Sequence, residues 1–153
     1  MKELVLTATG GPENLTLREG VSRALAPNEI RVRNTAIGVN FIDIYQRTGL
    51  YPVSVPAVLG QEAAGVVLEA GERAPFKPGE RVAYMGAASY AEETVVDAGR
   101  AARLPAEVSE EAAAASFLKG LTAEMLLRQV YPVKAGETAL VTAAAGGVGL
   151  LLC

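Results

Sequence analysis

The sequence predicts a mixed α/β chain, with a β-rich barrel-like block first and a helix, a strand and a glycine loop after it. Two observations carry this. Over the first hundred residues, short apolar runs alternate with glycine and proline at roughly 8–12-residue spacing, the rhythm of a small barrel or sandwich. After Pro105 the apolar spacing lengthens to that of a helix, and a strand-like run then leads directly into Ala144-Ala145-Gly146-Gly147-Val148-Gly149.

The elements follow in order. Residues 4–7 form one apolar run, ended by Gly10-Gly11-Pro12. Leu15 and Leu17 alternate with Thr16 and Arg18 before Gly20. Ile30, Val32 and residues 36–39 make a longer strand that turns Arg31 and Arg33 to its other face. Residues 63–68, 81–85 and 93–96 read as further strands. One helix interrupts them: Asn40 caps residues 41–48, Asp43 takes the third helical position, and Gly49 suits a left-handed exit. Ser109 caps a second helix, where Glu110 and Glu111 suit the positive helix start and the alanines 112–115 suit core packing. Leu118, Leu121, Met125 and Leu126 continue it at helical spacing to Val130, before Pro132 and Gly136 break it. Residues 138–142 read as a buried strand. The change of texture falls within 105–125 and divides the chain into residues 1–121 and 122–153.

Composition removes whole classes of chemistry. The formal net charge of -3 provides no basic footprint for nucleic acid. No apolar run approaches the roughly 18 residues of a membrane span, and the start of the chain has no long apolar signal core. A cytoplasmic protein is expected. The chain has no histidine, and Cys153 is its one cysteine. It therefore cannot build an internal disulfide, a structural zinc site of four Cys/His ligands, or a Ser-His or Cys-His nucleophile pair. The chemistry left to it uses carboxylates, amides, phenols, backbone groups or a bound cofactor.

The glycine run matches a dinucleotide-binding loop with alanine, Ala144, where the first glycine normally makes the tight turn. Gly146 allows backbone approach to a pyrophosphate, and Gly149 allows close packing of helix on strand. Free N–H groups at a helix start favour the negative charge. A short glycine run is also compatible with a plain strand-to-helix turn.

The run from Gly136-Glu137-Thr138-Ala139-Leu140 through the glycine loop resembles the signature of the zinc-free NADPH:quinone oxidoreductase (ζ-crystallin-like) family of medium-chain dehydrogenases/reductases. Gly10-Gly11-Pro12-Glu13-Asn14-Leu15 resembles that family's opening turn, Asn40-Phe41-Ile42-Asp43-Ile44-Tyr45 its active-site helix, and Phe117-Leu118-Lys119-Gly120-Leu121-Thr122 the lead into its cofactor domain. The resemblance implies a GroES-like β-rich barrel domain followed by the first strand and glycine loop of a Rossmann domain, the first lacking a piece that returns from the C-terminus. The zinc alcohol dehydrogenases of the larger family carry Gly-His-Glu where this chain has Gly60-Gln61-Glu62, and a cysteine near Asn40. Zinc acts there as a Lewis acid on an alkoxide. Without it, the expected acceptor is electron-poor, such as a quinone, whose conjugation spreads the arriving charge.

The roles implied by the resemblance stand beside plainer ones. Asn40, Tyr45 and Tyr51 are the expected donors to developing oxygen charge, with Asp43 orienting its neighbours. Asn40 and Asp43 equally suit a helix cap and a first-turn charge, and the two tyrosines suit half-buried packing. Phe41 and Ile42 are expected at the nicotinamide end of NADPH, Thr122 at the domain junction, and Gly146, Gly147, Val148 and Gly149 at the pyrophosphate. Lys119 suits either a phosphate contact or a solvated helix charge. No metal ligands are expected. An enone or enoyl reductase and a non-catalytic, crystallin-like NADPH-binding protein are the competing functions. Only four residues follow Gly149, and the apolar Leu150-Leu151-Leu152 would be exposed. The polypeptide alone is expected to be inactive, and the full-length form to be a homodimer.

Overall fold

Eight strands form within the first 103 positions of the computed structural model, which describes residues 1–153. They are β1 (Lys2–Leu6), β2 (Leu15–Glu19), β3 (Glu29–Gly38), β4 (Ala57–Val58), β5 (Glu62–Ala70), β6 (Arg81–Met85), β7 (Glu93–Asp97) and β8 (Ala101–Arg103). Three make a sheet of order β2-β1-β4 and five a sheet of order β7-β3-β5-β6-β8. Every pairing is antiparallel. β4 and β8 escape the periodicity reading because two and three residues show no alternation.

Alternation along β3 decides its two faces. Ile30 and Val32 are completely buried with Ala63, Val67, Val82 and Tyr84, whereas Arg31 and Arg33 face away. Arg31 pairs with Glu69 across the sheet at 3.3 Å. Tyr84 is the largest fully buried side chain. Its hydroxyl donates to Asn34 Oδ1 at 2.9 Å, and Asn34 Nδ2 donates to the Ala91 carbonyl at 2.8 Å. The polar tip is thereby satisfied inside an apolar core, as burial demands. Burial pushes the phenol up to about 12, so Tyr84 stays a neutral donor.

Two longer helices complete the pattern. α1 spans Phe41–Thr48, the predicted residues, and α2 spans Glu110–Glu124. Ser109 Oγ accepts from Ala112 N–H at 3.2 Å, so the predicted cap forms. The helical run does reach Val130, but its last six residues, Met125–Val130, are a π-helix. α3 is one turn, Gly149–Leu152. The chain forms two compact units, Met1–Ala115 and Ser116–Cys153, dividing within α2.

The strand predicted over residues 138–142 does not form. These residues have no regular structure and Leu140 is 92% exposed. A strand satisfies its backbone only by pairing, and the Ser116–Cys153 unit holds no other strand. No helix of the structure is long and apolar enough to cross a membrane.

Candidate functional site

α1 anchors the first cluster. Asn40 stands at its N-cap in an extended conformation, and Gly49 closes it at φ 84°, a left-handed geometry natural to glycine. The helix is held at both ends. Gly10 N–H donates to the Arg47 carbonyl at 2.8 Å, while the Arg47 guanidinium returns to the Gly10 carbonyl. The Gly10-Gly11-Pro12 turn thus fixes the exit of α1.

At its start, four polar side chains are linked. The Asp43 carboxylate accepts through Oδ2 from Asn40 N–H at 2.8 Å and from the Tyr90 hydroxyl at 3.0 Å. Asn40 Nδ2 donates to Glu62 Oε1 at 2.8 Å. Asn40, Asp43 and Glu62 are all buried, Glu62 completely. Two carboxylates, an amide and a phenol therefore bind α1 to β5 and to the turn before β7. Burial, followed by the neighbouring Asp43 charge and its hydrogen bond, raises the Tyr90 phenol and keeps it a donor.

Asp43 itself is raised above the ordinary 3.8, because burial outweighs the hydrogen bonds from Asn40 and Tyr90, with the Glu62 charge adding to burial. The folded state then holds this proton more tightly than the unfolded chain does. The Asp43 contribution to stability is consequently greatest below pH 3.8 and declines as pH rises through its folded value. Carboxyl-carbon NMR titration is expected to place the Asp43 midpoint above 3.8, and Asp43→Asn should remove that segment of the stability profile. A midpoint at or below 3.8 would show that the hydrogen bonds outweigh burial.

The two tyrosines that the resemblance implies lie together. The Tyr45 and Tyr51 rings are 5.3 Å apart, Phe41 lies 6.1 Å from Tyr45, and Tyr51 N–H donates to the Tyr45 carbonyl at 3.0 Å. Phe41 is 72% exposed and Tyr51 49%, whereas Tyr45 and Ile42 are half-buried. Together the three rings make an exposed aromatic rim. Nothing here has the make-up of an activated nucleophile; the side chains supply donors, carboxylates and aromatic faces.

The second cluster lies in the Ser116–Cys153 unit. Ala143 adopts φ 52°, so the tight turn of the loop is made one residue before Ala144, and Gly146 N–H closes it onto the Ala143 carbonyl at 2.8 Å. Gly149 is buried, and a Cβ there would meet the Ala143 oxygen at 2.4 Å. Glycine is required for that close approach. Gly146 and Gly147 are exposed, and Val148 is half-buried. Thr122 donates its hydroxyl to the Leu118 carbonyl at 2.9 Å within α2, leaving its oxygen to accept.

Sequence reading missed Glu62 and Tyr90 as members of the first cluster. Glu62 left one signal, a carboxylate at the head of the apolar run 63–68, which burial permits only with a partner. Tyr90 left none, since its contact with Asp43 spans 47 positions.

Comparison with known proteins agrees with this arrangement. Residues 26–106 match the alcohol dehydrogenase GroES-like domain. The chain is 49% identical over 158 aligned positions to a quinone oxidoreductase of Pseudomonas aeruginosa, covering 99% of this chain and 48% of that protein. It is 52% identical over 148 positions to quinone oxidoreductase 1 of Escherichia coli, covering 94% and 45%. The crystal structure of Escherichia coli quinone oxidoreductase complexed with NADPH superposes with a TM-score of 0.94 at 48% identity, covering 100% of this chain and 48% of that one. The chain thus spans about half the length of the curated relatives it matches. With its two antiparallel sheets, its capped α1 and its glycine loop, the chain belongs to the alcohol dehydrogenase GroES-like domain family, and over about half their length it is similar to quinone oxidoreductases.

Proposed function

We propose that this chain is part of a zinc-independent reductase that passes a hydride from NADPH to a quinone. The observation that carries the reading is the α1 cluster, where a buried amide–carboxylate–phenol network fixes Asn40 at the N-cap of the helix that carries Phe41 and Tyr45. A catalytic zinc site is built on histidine or cysteine ligands, in some cases with a carboxylate. The polar groups gathered at α1 are an amide, two carboxylates and phenols, which suits an acceptor activated by hydrogen bonds alone.

The glycine loop fits a dinucleotide. Gly149 leaves no room for a side chain where α3 packs on the turn, and Gly146 and Gly147 are exposed. Gly146, Gly147, Val148 and Gly149 would hold the pyrophosphate. Bound NADPH supplies the hydride. Tyr45 and Tyr51 supply hydroxyl donors for the oxygen on which charge develops, while Asn40 gives one amide N–H to Glu62 and keeps the other for the acceptor. Asp43, gripping Asn40 N–H and the Tyr90 hydroxyl, keeps the start of α1 in place. A cytoplasmic location and a homodimeric full-length form belong to the same reading.

The test is NADPH oxidation by the complete gene product with a small quinone and, in parallel, an enone. Turnover is expected to favour the quinone, without bound zinc, and to be absent from a polypeptide of residues 1–153 alone. Binding of NADPH without oxidation by any acceptor would replace the reductase reading with a binding role. Preference for the enone would change the acceptor.

A further inference from the structure

Tyr90 enters the α1 cluster from the turn between β6 and β7, and both of its backbone polar groups are engaged. Its N–H donates to the Leu59 carbonyl at 3.0 Å, just ahead of β5, and its carbonyl accepts from Leu4 N–H on β1 at 2.8 Å. The carbonyls on either side, those of Ser89 and Ala91, both accept from Asn34 Nδ2 on β3, at 3.2 and 2.8 Å. Thr94 Oγ1 on β7 donates to the Ala88 carbonyl at 3.2 Å. Ala88 adopts φ 65°, a left-handed geometry uncommon for a residue with a Cβ. Gly60 stands bare against the ring: a Cβ there would lie 2.6 Å from Tyr90 Cδ1 and 3.0 Å from Cε1. Backbone and ring of one tyrosine are thus fixed from several strands at once.

This anchoring delivers a single donor. The Tyr90 hydroxyl reaches Asp43 Oδ2 at 3.0 Å, the same oxygen that accepts from Asn40 N–H at 2.8 Å. Asp43 Oδ1 is buried with no hydrogen-bond partner, so the grip on Asn40 rests on Oδ2. Without the tyrosine, Asn40 N–H alone would hold that oxygen, and the terminal torsion of a carboxylate is broad. The other deeply placed phenol differs: the Tyr84 hydroxyl ends on Asn34 inside the core, whereas that of Tyr90 ends at the N-cap of α1.

We infer that Tyr90 is a positioning residue of the reductase site: through Asp43 it fixes the backbone from which the Asn40 amide projects, and the turn before β7 is built to hold it there. The inference rests on the quinone-reductase reading above. A donor aimed at developing charge is effective when its direction is set before the reaction, which an anchored partner behind it supplies.

Steady-state kinetics of the complete gene product with NADPH and a small quinone test it, using Tyr90→Phe, which keeps the ring and removes the hydroxyl. Tyr90→Phe is expected to lower kcat about tenfold while the Kd for NADPH stays unchanged. In an Asp43→Ala background the same substitution should cause no further loss, because its route to Asn40 is already cut. Two ionisable groups act on Asp43: the Tyr90 hydrogen bond lowers its pKa and the Glu62 charge raises it. Tyr90→Phe should therefore move the Asp43 carboxyl midpoint upward in carbon NMR. Unchanged kcat in Tyr90→Phe beside an active wild type overturns the positioning role alone. Losses that add in the double variant, or an Asp43 midpoint that does not move, overturn the route through Asp43. Early melting with a matching loss of NADPH affinity makes the hydroxyl structural and overturns the inference. A wild type that reduces no quinone overturns the reductase reading together with this one.

Discussion

Asp43→Ala is expected to lower the unfolding free energy of the Met1–Ala115 unit by about 2 kcal/mol at pH 7. The substitution deletes the common acceptor of two donors, Asn40 N–H at 2.8 Å and the Tyr90 hydroxyl at 3.0 Å. Leaving the buried Asn40 N–H unsatisfied costs about 1–3 kcal/mol, and the half-buried Tyr90 hydroxyl, which water can reach, adds less. Part of that is offset, because burial already disfavours the Asp43 carboxylate, as its raised pKa records. Asp43→Asn retains an acceptor oxygen and is expected to lose less than half as much. Urea unfolding followed by tyrosine fluorescence measures both, since four of the five tyrosines, Tyr45, Tyr51, Tyr84 and Tyr90, lie in this unit. Equal losses in the two variants would show that charge at the helix start, rather than the acceptor, holds α1.

The second large effect falls on the glycine loop. Gly149→Val is expected to weaken NADPH binding by the complete gene product by on the order of 100-fold. A Cβ at this position would lie 2.4 Å from the Ala143 oxygen and 2.7 Å from Ala144 Cα. Both are backbone atoms, so the turn itself must open, unlike at Gly147, where the obstacle is a flexible lysine stem. Opening the turn moves the Ala143 carbonyl that Gly146 N–H now binds at 2.8 Å. Overpacking against backbone costs about 1–3 kcal/mol in folding, so the β-sheet circular dichroism should persist. Nucleotide affinity comparable to wild type would mean that the pyrophosphate is held elsewhere.

Elements whose cause is local were legible in the sequence. α1 begins and ends where Asn40 and Gly49 place its cap and its left-handed exit, and Ser109 caps α2. β6 spans the predicted residues 81–85, because alternation and its turn residues lie within a few positions. The proximity of the Phe41, Tyr45 and Tyr51 rings was legible too, since they lie on or just after one helix.

Long-range partners were not. Glu62 reaches Asn40 across 22 positions, and Tyr90 reaches Asp43 across 47. Neither separation leaves a periodic trace. Residues 138–142 carry strand propensity yet form no strand, because propensity supplies no hydrogen-bonding partner. Ala143, not Ala144, makes the left-handed turn, since the choice depends on how α3 packs back at Gly149.

The sequence by itself determined the two-part character of the chain, the start and end of α1, the composition that removes histidine and paired-cysteine chemistry, and the glycine loop. Each follows from residue type and near-neighbour spacing. Only the tertiary structure decided that Asn40 and Asp43 are buried members of a four-residue network rather than a surface cap, and that Lys119 lies across Gly147. Burial and hydrogen-bond partnership are properties of segments brought together by folding, and these set which polar groups are gripped and which remain available to a ligand.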